Sequence, residues 1–242
     1  MPKNNLNLES IFMHRPLIVL SVFLLLGMSA YTGMLLYANY SASSSQADIK
    51  NWQLGKIVPD EKSWQETLDS IQAAIKFDPT NPEYLGYEAE LYRYKATMSD
   101  TRPSKAIGAY REALSKYRHL LTLRPSWAPY WSSIISIKYE LWEYDELMIT
   151  ALNNAARLAP WFKSNQHIIL RAGFHGWPFI DLETREVIDK TLERAMQLQP
   201  LETIRLALNQ GFGERLTPYL EVDEDLQKVY EKELQAMKKV KE

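Results

Sequence analysis

Cysteine is absent from this chain of 242 residues. Its absence excludes a disulfide framework, cysteine-based zinc sites and thiol catalysis. It also suits an oxidising compartment, where stray thiols are a liability. Glycine is scarce, with 9 residues, which disfavours a fold rich in tight turns. An excess of one charge is missing too: 28 Lys and Arg face 30 Asp and Glu, for a formal net charge of −2 and a pI near 6.1. A chain so balanced offers no basic stripe for a phosphate backbone, so nucleic acid is not an expected partner. What remains is 46% apolar, 24% charged and rich in Leu, Ala, Glu, Lys, Arg and Gln, the composition of a globular helical protein.

One stretch has no charge at all. Residues 16–38 read PLIVLSVFLLLGMSAYTGMLLYA. As a helix, 17–38 is about 33 Å long at ~1.5 Å per residue, enough for a hydrocarbon layer of about 30 Å. Only a helix satisfies its own backbone there. Tyr31, Tyr37 and Tyr40 gather toward one end, where amphipathic rings favour the interface. Lys3 and Arg15 precede the span, and no Lys or Arg follows until Lys50. The positive-inside rule then leaves the N-terminus in the cytoplasm and exports residues from about 40 onward. In a Gram-negative cell this means an inner-membrane protein with a periplasmic domain. The rival is a cleaved signal peptide, whose apolar core is shorter, about 7–15 residues; the small residues at 41–45 would then hold the cleavage site.

Downstream, four phrases recur: Ala74-Ile-Lys-Phe-Asp-Pro79, Leu120-Leu-Thr-Leu-Arg-Pro125, Ala155-Ala-Arg-Leu-Ala-Pro160 and Ala195-Met-Gln-Leu-Gln-Pro200. Each reads as a helix end followed by a proline that cannot continue it. Tetratricopeptide repeats, of about 34 residues, close their second helix in this way. With Pro160 as the terminal proline, Ile135, Ser136 and Tyr139 fall on the large, small and aromatic positions of a first helix. Leu152 and Ala155 fall on the packing positions of a second helix, and Ala89 and Tyr92 on those of an earlier first helix.

The pattern predicts helices at 46–57, 61–77, 82–98, 103–123, 127–143, 145–158, 162–172, 183–198, 200–209 and 223–240. The fold class is all-α: a single N-terminal transmembrane helix followed by a TPR-like antiparallel helical-repeat domain. The expected organisation is a short cytoplasmic N-terminus (1–15), the transmembrane helix (16–40), the repeats (46–210) and a capping-helix region (211–242). Leu226, Tyr230, Leu234 and Met237 give the last helix one apolar stripe, as a cap requires. An irregular helical bundle without true repeats is the alternative.

Chemistry is hard to find. His14, His119, His167 and His175 form no H-E-x-x-H and no i,i+4 pair, and there is no G-x-S-x-G, Walker A or Rossmann glycine pattern. No enzyme activity, cofactor or metal is expected. The seven tryptophans read mainly as core knobs, with partner or sugar contact as the alternative. The first helices of a repeat stack line its concave face, which makes Glu83, Glu90, Arg93, Tyr130, Ser133 and Glu140 the candidate partner groove.

The segment 170–185, LRAGFHGWPFIDLETR, with the anchor and repeats around it, resembles the VpsP-like proteins of bacterial polysaccharide-biosynthesis loci. Arg171, Gly173, Trp177 and Arg185 carry the likeness, which runs over nearly the full length. It implies an accessory inner-membrane component of extracellular or capsular polysaccharide synthesis or export. Envelope polysaccharide-assembly proteins are the implied partners, and the family supplies no catalytic residue. In physical terms, Gly173 is expected to end a helix at positive φ, Asp181 to cap the next one, and Trp177 to plug the gap between them. Two other readings remain: an assembly factor for another envelope system, such as cytochrome c maturation or secretion, and a module that binds glycan directly. Intact-mass measurement of the membrane-extracted protein is expected to return an uncleaved anchor; a mature N-terminus near Ser43 would identify a signal peptide instead.

Overall fold

The computed structural model describes residues 8–98 and 103–241, with side chains from 15 onward and up to 239. The first seven residues, part of the expected linker near 98–103, and Glu242 lie outside the described residues. Among those described there are eleven α-helices, two short 3-10 turns and no strand. The helices are α1 (Leu8–Gln53), α2 (Glu61–Phe77), α3 (Pro82–Met98), α4 (Pro103–Leu123), α5 (Ala128–Glu140) and α6 (Glu146–Leu158). They continue with α7 (Lys163–His175), α8 (Leu182–Leu198), α9 (Pro200–Asn209), α10 (Thr217–Leu220) and α11 (Glu224–Lys241). The chain divides into two compact units, 1–91 and 92–242.

In the first unit, α1 is one helix of 46 residues where a span and a separate helix at 46–57 were expected. Serine has only modest helix propensity, yet 41–45 contains no Pro or Gly to stop a helix, and the Ser45 hydroxyl donates to the Ser41 carbonyl at 3.1 Å. Tertiary packing decides the matter. Ala38, Ala42, Ser45, Ile49 and Trp52 are buried, alternately four and three residues apart, and so form one seam. The seam meets Trp64, Thr67, Leu68, Ile71 and Ala74 of α2, which runs antiparallel to it. Gly55, at φ +66, ends the run: its N–H donates to the Trp52 carbonyl and the Lys56 N–H to that of Asn51. Asp60 caps α2 by accepting from the Ser63 N–H at 2.8 Å. The Trp64 indole is almost fully buried and donates to the Leu91 carbonyl at 3.1 Å. The 17–37 part of α1 is different. It is exposed, and α1 is the one described helix long and apolar enough to cross a membrane, with mean hydropathy 2.0 in its most apolar window.

In the second unit, α5 packs on α4, α6 and α7, and α7 on α6, α8 and α9. The helices α5, α7 and α9 therefore line up side by side, with α6 and α8 as a second row. Each pair is set by local signals. Asp145 and Asp181 cap α6 and α8, as the Asp181 reading required, and Pro200 starts α9 immediately after α8. The stripe of α11 packs on α9, and Glu233 takes two hydrogen bonds of 2.9 Å from Arg205. The turn at 213–216 and the short α10 have no counterpart in the sequence pattern.

Gly173 does not end α7. The helix runs on to His175, with Gly176 as its C-cap. Gly173 is buried against α8, and a Cβ there would lie 2.5 Å from Ile188 Cδ1 and 2.8 Å from its Cγ1. The missing side chain lets α7 and α8 approach closely. Gly173→Ala is therefore expected to lower stability by about 1–3 kcal/mol through overpacking, despite alanine's better helix propensity. Adding Ile188→Val should recover part of the loss; thermal unfolding that moves upward in the single variant would refute the packing role.

Candidate partner-binding surface

The sequence-predicted groove residues are divided between the two units, and each is described within its own. Glu83 and Glu90 belong to the first unit, and Arg93, Tyr130, Ser133 and Glu140 to the second. Glu83 is exposed, with its backbone N–H held by the Asn81 side chain at 3.0 Å. Glu90 is half-buried and accepts from Gln53, so it faces α1. Arg93 and Ser133 are half-buried. Tyr130 is not a groove residue: it is 8% exposed and packs 6.0 Å from the Tyr117 ring and 6.4 Å from the Trp127 ring. Its position in the first turn of α5 points it at α4, which the repeat alignment did not resolve.

Glu140 is brought to a second residue named from the sequence, Arg171, at 3.6 Å. The Arg171 guanidinium also lies 4.5 Å over the Tyr139 ring. These three border an aromatic cluster at the C-terminal ends of α5 and α7. His175 is its centre, with Trp142, Tyr139 and Tyr144 centroids at 4.2, 5.1 and 6.0 Å. Tyr144 stacks on Phe179 at 5.8 Å. The Tyr144 hydroxyl contacts the Ala172 carbonyl at 3.2 Å and His175 Nδ1 at 2.8 Å. Since a carbonyl only accepts, both contacts are satisfied together when the phenol donates to Ala172 and Nδ1–H donates to the phenol. Burial first, and Tyr139 nearby, push the Tyr144 phenol well above its ordinary pKa, so it keeps its proton. Gly176 leaves space for the Tyr144 ring, because a Cβ at that residue would fall 1.9 Å from its Cε1.

The turn that presents this cluster is firmly held. Leu141 caps α5, and the next two N–H groups fold back: Trp142 donates to Tyr139 and Glu143 to Lys138. In this arrangement the residue after the cap is left-handed, usually a glycine. Here it is Trp142, at φ 57, with its indole 72% exposed. Beneath it the buried Lys138 ammonium donates to Glu143 at 2.7 Å and to Asp145, while Arg111 grips Glu143 with two bonds. The Arg111 bond above all, aided by Lys138, holds the Glu143 carboxyl below its ordinary pKa. Burial pulls Asp145 upward, but bonds from Lys138 and the Met148 N–H outweigh it and leave it lowered.

Two features flank the cluster. Trp177 is half-buried, with Arg215 3.7 Å and Arg185 5.2 Å from its ring centroid, and the Phe212 ring at 5.7 Å. Arg185 also donates to the Trp177 carbonyl at 2.9 Å. Trp177 thus joins the 3-10 turn after α7 to α8 and to the segment after α9, where a plug between α7 and α8 was expected. At the opposite ends of α5 and α7 lies an apolar groove of about 510 Å³, lined by Trp127, Pro129, Ser132, Leu158, Phe162 and Asn165. Asn165 is buried at its base and donates to the Ala155 and Ala159 carbonyls at 2.8 and 2.9 Å.

Sequence reasoning treated the tryptophans as a group and missed the Trp142–His175 cluster. One signal was available: Gly55 and Gly211 follow the ends of α1 and α9 at positive φ, whereas α5 ends on Leu141-Trp142. Among the described residues no group of three or more His, Asp or Glu is placed to hold a metal ion. No protein-family model matches the chain, and no curated protein matches it.

Glu143 and Asp145 have folded pKa values below their unfolded ones. The stability they add is complete above the unfolded carboxylate range, about pH 4–4.5, and is lost as pH falls through the folded values. Glu143→Gln is therefore expected to lower stability near neutral pH by about 1–3 kcal/mol, since charge-assisted bonds are lost. It should also flatten the pH dependence in acid. Urea unfolding followed by Trp fluorescence across that range checks both, and an unchanged acid limb would show that the pair is not coupled to folding.

Proposed function

We propose that this chain is a non-enzymatic scaffold or adaptor, anchored in the bacterial inner membrane by α1 with its N-terminus cytoplasmic and its helical units periplasmic. We read the paired rows of the second unit as a degenerate tetratricopeptide-type stack. The process it serves is the biosynthesis or export of surface or extracellular polysaccharide, a reading supported by the resemblance of residues 170–185 to VpsP-like proteins. Its partners are envelope polysaccharide-assembly proteins.

The observation that carries the adaptor reading is the exposed aromatic surface around Trp142. A large indole in a left-handed cap, mostly in water, contributes little to its own fold, whereas large aromatics flanked by charge are what interface centres use. The Glu140–Arg171 pair beside it supplies a polar rim. The same exposed indole favours a second reading, direct stacking on a sugar ring. Assembly of another envelope system, in cytochrome c maturation or secretion, would use the same architecture.

A photo-reactive amino acid at Leu182, whose side chain is 75% exposed after the Phe179 turn, tests the reading in native membranes. It is expected to trap a polysaccharide-assembly protein. Trapping only unrelated envelope proteins would overturn the polysaccharide assignment. Trp142→Gly should leave thermal stability unchanged or slightly higher and abolish the crosslink. A crosslink that persists at full yield would remove Trp142 from the interface.

A further inference from the structure

The first unit carries aromatic side chains that its own packing leaves at the level where the apolar run of α1 ends. From Leu17, about 20 helical residues span about 30 Å of hydrocarbon, so the boundary falls near Leu36. Just beyond that level α2 ends. Ala38 and Ala42 pack against Ala74 and Tyr84, with Ile75 and Tyr87 around them. The Tyr37 and Phe77 rings meet edge to face at 5.9 Å. Phe77 nevertheless remains 38% exposed, Tyr37 57% and Tyr40 76%. Between Phe77 and Pro82 the chain turns through Asp78, Pro79, Thr80 and Asn81, with Lys76 and Glu83 exposed on either side. No Gly or Pro interrupts α1 between Met34 and Gln53, so the helix offers no hinge that would lift this corner away from the end of the span.

We infer that the α2–α3 corner of the first unit is a second membrane contact, in which Phe77, Tyr37 and Tyr40 lie at the boundary between acyl chains and headgroups while Lys76, Asp78 and Glu83 reach into the headgroups. The inference rests on α1 crossing the membrane, and it extends that reading from one helix to a docked surface. Its occupant is the phospholipid interface, chosen by continuity with the span and by residue type. Tyr rings suit that layer because one end is apolar and the other wet, and a Lys ammonium reaches outward from it. The charged groups at the corner are of mixed sign. The contact is therefore aromatic rather than electrostatic, and it needs neither anionic lipid nor low salt. The contact also fixes the depth of α1. The span cannot slide outward past Leu36 without exposing apolar side chains, nor inward without burying Asp78 and Glu83 in hydrocarbon.

The cysteine-free chain makes the test direct. Single cysteines are placed in the full-length protein at Thr80, at Lys62 near the far end of α2, and at Leu24 within the apolar run. Each is labelled with an environment-sensitive fluorophore in phosphatidylcholine vesicles. Lipids carrying a quencher in the headgroup region should quench the Thr80 label several-fold more than the Lys62 label, equally in low and high salt. Lipids quenched at mid-chain should act mainly at Leu24. Adding Phe77→Ser should reduce the Thr80 quenching while circular dichroism shows the helices retained. Thr80 labels no better quenched than those at Lys62, with Leu24 quenched, would overturn the docked corner and leave the span intact. An unquenched Leu24 label would overturn both. Quenching at Thr80 that disappears in high salt would overturn the aromatic contact.

Discussion

The antiparallel packing of small α1 residues on α2 is the constraint on which the first unit depends. Ala38, Ala42 and Ser45 let the two backbones approach, and Ile49 and Trp52 fill the wider end of the same seam. The seam begins within the apolar run and continues without a break into the polar part of α1. One helix therefore presents two kinds of surface. Residues 17–37 leave large apolar side chains exposed, and those after them bury a narrow stripe against protein. Here the helix that is apolar enough to cross a membrane is also a structural member of the unit that follows it, so motion of one is transmitted to the other.

The second unit depends on a different kind of joint. Its helices are joined by short turns, and a turn is rigid only where its backbone and charges are all satisfied. The α5–α6 turn meets that condition through Lys138. Its ammonium is almost completely buried, which would be costly alone, but Glu143 and Asp145 both accept from it and Arg111 shares the Glu143 carboxylate. Asp145 serves twice, since its other oxygen caps α6. Breaking one bond therefore loosens a helix start, a helix end and the turn between them.

Helix starts and most helix ends were legible in the sequence because their causes are local. The bounds of α2, α3, α4 and α9 follow from Asp60, Pro82, Pro103 and Pro200 and from the breaks after each helix, and the structure places them where the pattern predicts. Three of the misses involve contacts distant in sequence. The segment 41–45 looked like a gap because the residues that cover Ala42 and Ser45, Ala74 and Thr67, lie on another helix. Gly173 looked like a terminator because Ile188, the side chain it makes room for, is 15 residues away. Tyr130 looked exposed because its partner in α4, Tyr117, is 13 residues away and the repeat spacing did not pair the two. Of the candidate surface, Glu140 and Arg171 were named separately and for different reasons; the cluster that unites them, centred on His175, was not legible from spacing alone.

Magnitudes separate structural use of Trp142 from functional use. A left-handed conformation costs a residue with a Cβ about 1–2 kcal/mol relative to glycine. An edge contact of the kind Trp142 makes with His175 returns about 0.5–1.5 kcal/mol at best. With 72% of the residue in water, burial adds only a small fraction of the ~2–3 kcal/mol a fully covered large apolar side chain would bring. These terms come close to cancelling, so the fold gains little from a tryptophan that a glycine would not supply. The same reasoning gives the opposite answer for Trp64, whose indole is buried and hydrogen-bonded and is therefore a core residue. The difference lies in where the apolar area is covered. Trp64 finds its cover inside its own unit, whereas Trp142 presents its area outward on a turn fixed by Lys138.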